Sequence, residues 1–541
     1  MDEGFFRGVE LVSAILIILL LSIFIVSNIF VGFIFWIYFA LMGASFVITV
    51  FYPRSGFYAI VFLTFIWERF FTLVPIVIDR HEYKIYSLDI ILLGIILGVV
   101  IKLINLHIIN KKDKTNREPI KLKKRLSVIN KPITLLGIFI LLVAIHFLAD
   151  IIILGANKAV AFSSFKYYTF YPLLYFVTII LFNRKNDIVR LFKFALLAGL
   201  IIIGFIVFGI LNGGGLWTEF TPMSTSGFRV LAFTHGFYLL MLWLGLFIFI
   251  VKRSERKNGV IQKKWLVLLL IWGIGILGSM MRHLWLGIGL SVGTFLFLHT
   301  NKQDIFKMLK QLINYLPAIL LGLGLIIYLA VIFPYSTIGT VVTGAENVIS
   351  ERVGSFVDVK QDSSFSWRNL AWREALVRYS HNPIYGLGFG EMLDLEKQNY
   401  HDFVEVRNIH NSWLVLVVQS GLVISVVFAL FITSIIKTFF KKQRDKEWTE
   451  IVVSILIINY FFLALFQPYL ETNMLGIFFW ILLGLSSSQK SRALIQGEKG
   501  MEKKESEEEK KDIVKKTSIW KRSNSRELNF KLDNQTKSTT Y

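Results

Sequence analysis

Long uninterrupted apolar runs are the feature of this sequence that most restricts its fold. Most are about 16 to 25 residues long, the length that a helix needs to cross the hydrocarbon core of a bilayer. Only 18% of the 541 residues are charged, against roughly 25% in soluble domains. The sequence therefore predicts an all-α polytopic membrane protein with about 12–14 transmembrane helices. Fourteen runs are candidate spans: 9–29, 31–51, 56–78, 87–107, 132–153, 167–183, 190–211, 234–251, 265–281, 284–299, 312–333, 411–436, 449–467 and 471–487.

The stretch from Trp265 to Leu298 is too long for a single span. Its 34 residues would form a helix of roughly 50 Å, against a hydrocarbon core of about 30 Å. Arg282 and His283 are the polar pair that interrupts it. We therefore predict that the chain turns back at this pair.

Lysine and arginine are concentrated in five connections between the predicted spans, at 108–131, 184–193, 252–264, 300–311 and 437–448. Such residues accumulate on the cytoplasmic side of membrane proteins. With fourteen spans, all five connections and both termini fall on one face, so we predict cytoplasmic termini. The net charge of +21 lies between apolar runs, so it indicates membrane topology and predicts no nucleic-acid partner.

One connection on the opposite face is far longer than the others. It covers residues 334–409 and holds ten acidic and seven basic residues, and a loop of this length on a rigid scaffold is a usual place for a functional site. We divide the chain into N-terminal transmembrane helices (1–264), a region of helices that includes this external loop (265–487), and a charged tail (488–541). The tail is predicted to be disordered and cytoplasmic.

The external loop contains a predicted helix. Apolar residues recur at three- and four-residue steps between Trp367 and Tyr379, which is typical of a helix, and Arg368 and Trp372 share one of its faces. Pro383 ends the helix, because proline disfavours helical backbone in the residue before it.

Two further motifs follow the predicted helix. The glycines of GLGFG, at 386–390, are typical of a tight turn, and the alternative is that the backbone amides near Gly388 face a phosphate. His410 and Asn411 then open an apolar run, where Asn411 can cap the free amides of a helix N-terminus.

Together these motifs resemble those of the O-antigen ligase and O-antigen polymerase family. The matching elements are Arg368-x3-Trp372, the segment 382–390, and His410-Asn411 followed by Gly421. The resemblance extends over about residues 265–436. Similar proteins have a serine–arginine pair at an outer helix turn, which corresponds here to residues 279–282, where two methionines separate the serine from the arginine.

The resemblance implies a GT-C-like ligase fold with one large external loop, in a bacterial plasma membrane. It implies a glycosyltransferase that transfers a glycan from an undecaprenyl diphosphate-type carrier to an acceptor hydroxyl on the outer face. The implied partners are this donor, a glycan, lipid or other hydroxyl acceptor, and membrane lipids, with no cofactor. A polymerase of capsule, exopolysaccharide or O-antigen repeat units, or a protein oligosaccharyltransferase, stays open because the sequence does not identify the acceptor.

Arginine side chains are the expected ligands of the donor. A leaving lipid diphosphate gathers negative charge that fixed cations must meet, and the planar guanidinium binds phosphate oxygens in pairs. We expect Arg282 and Arg368 to form a diphosphate clamp, with Arg352 as a further substrate contact. The alternative for each is a lipid-headgroup contact or a salt bridge.

The acceptor hydroxyl must lose a proton, and a neutral histidine can take it near pH 7. We expect His410 to be this base, and the alternative is that it donates a hydrogen bond to the diphosphate. Residues with an expected secondary role in substrate binding are Trp372, Arg229, His235, Asn411 and Gly388.

Acidic residues in the external loop resemble a metal-ligand set only loosely. Glu391, Asp394 and Glu396 stand beside Lys397, which is typical of a solvated face, so we predict no metal site. A transporter or flippase for lipid-linked oligosaccharides is the alternative from a different functional class. It would place ionisable groups along a path near the bilayer midplane, whereas the distinctive polar residues of this chain collect at one face.

Overall fold

The computed structural model describes most of the apolar sequence and the second half of the loop that is predicted to be external. The described residues are 3–32, 34–67, 73–78, 81–112, 130–182, 184–211, 231, 233–256, 263–279, 281–299, 363–397, 400–437 and 447–489, with isolated positions between 306 and 342. Half of the predicted span 312–333 and nearly all of the predicted tail lie outside them.

Helices account for most of the described chain. In chain order they are α1 (Glu3–Phe30), α2 (Phe35–Phe51), α3 (Pro53–Ile66), α4 (Ser87–Lys112), α5 (Asn130–Ile152), α6 (Lys158–Phe165), α7 (Leu173–Leu181), α8 (Lys185–Leu211), α9 (Phe233–Arg256), α10 (Lys263–Gly278), α11 (Arg282–His299), α12 (Ser363–His381), α13 (Ser412–Ile436), α14 (Trp448–Leu463) and α15 (Asn473–Gln489). Two antiparallel hairpins pair β1 (Leu73–Ile78) with β2 (His81–Tyr86) and β3 (Met392–Lys397) with β4 (Tyr400–Glu405).

Six of these helices are long and apolar enough to cross a membrane: α1, α4, α5, α8, α9 and α13. Five shorter apolar helices, α2, α3, α10, α14 and α15, pack among them. The predicted all-α polytopic membrane protein is confirmed. Within the described residues, strand is confined to the two hairpins.

The turn predicted inside the long apolar stretch is confirmed. Helix α10 ends at Gly278 and α11 begins at Arg282, so the chain reverses over three residues. The helix predicted from Trp367 to Tyr379 is also present, as the central part of α12.

The predicted span 56–78 is wrong beyond Ile66. Helix α3 ends there, Trp67 has an extended ψ of 140°, and β1 follows after a short interval. Pro75 removes a backbone donor that a helix interior needs. Its neighbours are mostly β-branched, which favours a strand, so apolar character alone overestimated the helix.

The backbone of the glycine-rich segment 382–390 crosses α13 in direct contact with the backbone of that helix. Helix α13 is interrupted at Gly421, whose φ of 73° and ψ of 177° belong to a region that only glycine adopts readily. A Cβ on Gly386 would lie 2.6 Å from the Gly421 nitrogen, and a Cβ on Gly421 would overlap the carbonyl oxygen of Ile384. Both glycines are therefore required by the close approach.

We expect Gly421→Ala to lower the amount of folded protein strongly. The backbone conformation alone costs about 1–3 kcal/mol for a residue with a side chain, and the overlap with Ile384 adds to this cost. Gly43→Ala is the matched control, because a Cβ at Gly43 of α2 meets nothing within 4 Å. The measurement is the monodisperse fraction after detergent extraction, and equal yields for the two variants would contradict the expectation.

Candidate active site

His410 lies at the end of the long loop 334–409 that is predicted to be external, immediately before Asn411, the N-cap of α13. Its backbone has a φ of 59°, which is uncommon for a residue other than glycine. Nδ1 lies 2.6 Å from Oε1 of Gln467, and the ring meets Trp367 of α12 edge to face, with 5.4 Å between centroids. With Oε1 assigned as the acceptor, Nδ1 carries the proton, and none of the described residues hydrogen-bonds to Nε2.

The two residues that follow His410, Asn411 and Ser412, hold it in place. The Asn411 side chain accepts a hydrogen bond from the Leu414 amide at 3.1 Å and caps α13, as its position predicted. Ser412 is buried, and its Oγ donates to Glu471 Oε2 at 2.5 Å and accepts from the Leu470 amide at 3.0 Å. The hydrogen bonds of Ser412 attach residues 410–412, which we call the His410 segment, to residues 464–472, which connect α14 to α15.

Arg368 and Tyr469 extend the site towards α11. The charge of Arg368 acts on both His410 and Tyr469, so the three side chains lie in one neighbourhood. The hydroxyl of Tyr469 lies 2.8 Å from Nε2 of His283, the residue after Arg282 at the start of α11. The structure therefore gathers the segments that carry Arg282, Arg368 and His410 around residues 464–472.

The environment lowers the pKa of His410 from 6.5 to about 4. Burial is the main cause, the positive charge of Arg368 acts in the same direction, and the bond to Gln467 opposes both. A histidine in this state is neutral at pH 7 and has a lone pair at Nε2. It can accept a proton from a bound hydroxyl group.

Glu471 is the buried acid of the connection between α14 and α15. Burial raises its pKa from 4.5 to about 7, against the opposing effects of bonds from Ser412 and Tyr168 and of the charge of Arg407. Tyr168 donates its hydroxyl hydrogen to Glu471 Oε1. The carboxyl group thus joins Tyr168, in the segment between α6 and α7, to Ser412, two residues after His410.

We expect Glu471→Gln to be tolerated and Glu471→Ala to destabilise the fold by about 1–3 kcal/mol, because alanine leaves buried donors without an acceptor. The carboxyl binds a proton more tightly in the folded than in the unfolded chain. Its contribution to stability is therefore present below pH 4.5 and is lost as the pH rises through about 7. Thermal unfolding in detergent should show this loss between pH 4.5 and 8 for the natural chain but not for Glu471→Gln, and parallel pH profiles would contradict it.

A buried ion pair lies at the same end of the helices. Lys166 Nζ is 2.8 Å from Oδ2 of Asp89 and 4.3 Å from the centre of the Tyr86 ring. The hydroxyl of Tyr171 donates to Oδ1 of Asp89 at 2.8 Å. Arg407 is close enough for its charge to act on Lys166 and on Glu471, so this network adjoins the His410 segment.

The other predicted residues occupy varied places. Trp372 donates its Nε1 hydrogen to the Ile409 carbonyl at 2.6 Å, which supports the backbone beside His410. The Gly388 amide donates to the Gln419 carbonyl at 3.0 Å and so contacts protein. His235 is fully buried, with Nε2 2.8 Å from the Ile66 carbonyl. Arg229 and Arg352 lie outside the described residues.

An exposed cluster lies on the β3–β4 hairpin. Asp394, Glu396 and His401 place ligand-type atoms within 4.8 Å of one another. Nε2 of His401 is 2.8 Å from Oδ1 of Asp394, so a direct contact between these two side chains accounts for this arrangement. The expected absence of a metal stays a prediction.

Sequence reasoning did not identify Gln467, Tyr469 and Glu471. They stand in FQPYLETN, a short polar interruption between two apolar runs, and this interruption was the signal available. Each acts through a partner distant in sequence; His410 and Gln467, for example, are 57 residues apart.

Comparison with known families gives one match. Residues 265–429 match the family model described as O-antigen ligase. The match includes Arg282, Arg368 and His410 and ends before Gln467. No curated protein matches the chain.

Proposed function

We propose that this membrane protein transfers a glycan from an undecaprenyl diphosphate-type carrier to an acceptor hydroxyl, a proposal supported by the match of residues 265–429 to the O-antigen ligase family model. The observation that carries the proposal is the position of the partly buried His410, which is hydrogen-bonded to Gln467 and lies within reach of the charge of Arg368. Attack by a hydroxyl group requires a nearby base, and departure of a diphosphate requires a nearby cation. This site has both.

The proposed reaction is a direct displacement at the anomeric carbon of the donor glycan. The acceptor oxygen forms a bond to that carbon, and the bond from the carbon to the diphosphate oxygen breaks. The diphosphate leaves with both electrons of the broken bond, and Nε2 of His410 takes the proton of the acceptor hydroxyl. Arg282 and Arg368 stabilise the negative charge that develops on the diphosphate.

Donor binding increases the basicity of His410 in this proposal. Without the donor, the charge of Arg368 helps to keep the pKa of His410 low. A bound diphosphate neutralises that charge and adds negative charge nearby, and both effects favour the protonated imidazole. The base is therefore strengthened when the leaving group is in place.

The decisive experiment is reconstitution of the purified protein with a polyprenyl diphosphate-linked oligosaccharide and separate acceptors. Transfer to a lipid or other unrelated acceptor supports a ligase, and lengthening of the lipid-linked chain supports a polymerase of repeat units. Movement of intact donor across the bilayer without a new glycosidic bond would support a flippase and contradict the proposal. His410→Ala in the same membranes is the control for catalysis by a contaminant.

The proposed site faces the outside of the plasma membrane, and both termini lie in the cytoplasm. We therefore expect a reporter that is active only outside the cytoplasm to be active when fused near Asp394 and silent near Lys123, Lys257 or Lys441. The basic connections support this orientation. Activity at Lys257 with silence at Asp394 would reverse the topology.

A further inference from the structure

The external loop has an apolar surface beside a membrane-spanning helix. We propose that residues 376–390, the end of α12 and the glycine-rich segment after it, are inserted into the bilayer leaflet nearest His410. We call them the inserted segment. Lipid acyl chains would contact Leu376, Val377 and Ile384, and this proposal does not depend on the reaction that the protein catalyses.

The first observation is where the exposed face of α13 begins. All residues of 412–421 are described and none is exposed, because α5, α12 and the inserted segment cover part of them and α14 and the connection after it cover Ser412 and Trp413. Exposed apolar side chains begin at Leu422 and Val423, which are 52% and 51% exposed, and continue at Val426. The directly lipid-facing surface of this span therefore starts ten residues after its first residue.

The second observation is the length that remains. From Leu422 to Ile436 there are 15 residues, which make about 22 Å of helix, whereas the hydrocarbon core is about 30 Å thick. The hydrocarbon must therefore extend several ångströms beyond Leu422 towards His410. At that depth, the inserted segment is one of the elements that separate α13 from the lipid.

The third observation is that four of the seven exposed residues of the inserted segment are apolar, Leu376, Val377, Pro383 and Ile384, whereas the other three, Ser380, His381 and Asn382, are polar. Leu376 and Val377 are 48% and 49% exposed, and Ile384 is 68% exposed. The Leu422 amide donates to the Pro383 carbonyl at 3.0 Å, so Ile384 lies directly beside the start of the exposed face of α13. The apolar surface is thus continuous from the spanning helix onto the loop.

Helix α5 independently indicates that the hydrocarbon extends to the level of the inserted segment. Its Asp150 accepts a hydrogen bond from the Phe389 amide at 2.6 Å, which puts this part of the inserted segment level with Asp150. Ile152 and Ile153, at and just beyond the end of the helix, are 76% and 77% exposed. Apolar surface therefore continues past the level of Phe389.

Part of the backbone of the inserted segment also meets a requirement of a hydrocarbon environment. Irregular backbone at membrane depth is tolerated only where its polar groups are satisfied within the protein. Four amides of the inserted segment donate hydrogen bonds to acceptors within the protein at 2.6–3.0 Å: Gly386 to Asn382 O, Leu387 to Val418 O, Gly388 to Gln419 O and Phe389 to Asp150 Oδ2.

The chain contains no cysteine, so single-cysteine variants test the proposal directly. Ile384→Cys and Val377→Cys probe the inserted segment, and Phe403→Cys on β4 is the matched control, since Phe403 is 60% exposed beside charged residues. Each variant is placed in lipid nanodiscs, which leave both membrane faces open to water. The measurements are the rate of labelling by a charged maleimide and the quenching of an attached bimane by brominated lipids.

We expect labelling at 384 and 377 to be slower than at 403 by about tenfold or more, because a thiol in hydrocarbon does not ionise to the reactive thiolate. We also expect brominated lipids to quench bimane at 384 and 377 but not at 403, and all three sites to label fully in dodecyl sulfate. Equal labelling rates in nanodiscs would overturn the proposal. Slow labelling without lipid quenching would overturn it too, since it would mean that protein covers these positions.

Discussion

His410→Ala is expected to reduce turnover by about 10²–10⁴, the range for loss of a positioned general base. Donor binding should change much less, because the proposed role of His410 concerns the acceptor proton. The measurement is single-turnover transfer together with donor affinity in the same membranes. If His410 holds the diphosphate instead, donor affinity should fall by a free energy similar to that lost from turnover.

The positive φ of His410 makes the choice of control variants important. Any residue with a Cβ carries roughly 1–2 kcal/mol of backbone strain at φ 59°, and alanine adopts this conformation less readily than histidine, so part of any loss could come from misfolding. Asparagine adopts this conformation more readily and cannot act as a base, so His410→Asn should show the same loss of turnover at normal abundance. Asn411→Ala should mainly lower abundance, by about 0.5–2 kcal/mol of stability. Normal transfer by His410→Asn would exclude His410 as the base.

Arg368→Lys is expected to reduce turnover by about 10²–10³, the usual effect of removing one donor that stabilises developing negative charge. Lysine keeps the charge but loses the paired donors of the guanidinium. Arg282→Lys should behave similarly. Arg373→Lys is the matched control, because Arg373 is an exposed residue of the same helix α12.

Arg368→Gln separates the clamp from the electrostatic effect on His410. Removing the positive charge should raise the pKa of His410 from about 4 towards 6.5. The acid limb of the kcat/KM profile, where His410 becomes protonated in the free enzyme, should therefore move to higher pH, whereas Arg368→Lys should leave it in place. If Arg368→Lys has wild-type turnover, Arg368 contacts a lipid headgroup and does not hold the diphosphate. If the acid limb of the kcat/KM profile does not move in Arg368→Gln, the charge of Arg368 does not act on His410.

Features set by local sequence were predictable. Bilayer thickness and the rise of a helix fix how long an apolar run can remain one span, and this argument located the turn before Arg282. The periodicity of α12 and the cap at Asn411 are likewise local, because both depend on residues within about four positions. The motifs around Arg368 and His410 could therefore be recognised without a structure.

The partners of these residues could not be read from the sequence. Gln467 and Glu471 look like ordinary loop residues until folding brings them to His410 and Ser412, and the acceptor of the Tyr168 hydroxyl lies 303 residues away. The glycine-rich segment shows the same limit, since its amides could have faced a phosphate but instead bond to α13 and Asp150. A side chain or amide of given chemistry has many potential partners, and only the packing of distant helices selects one, because a buried polar group must be satisfied where the fold places it.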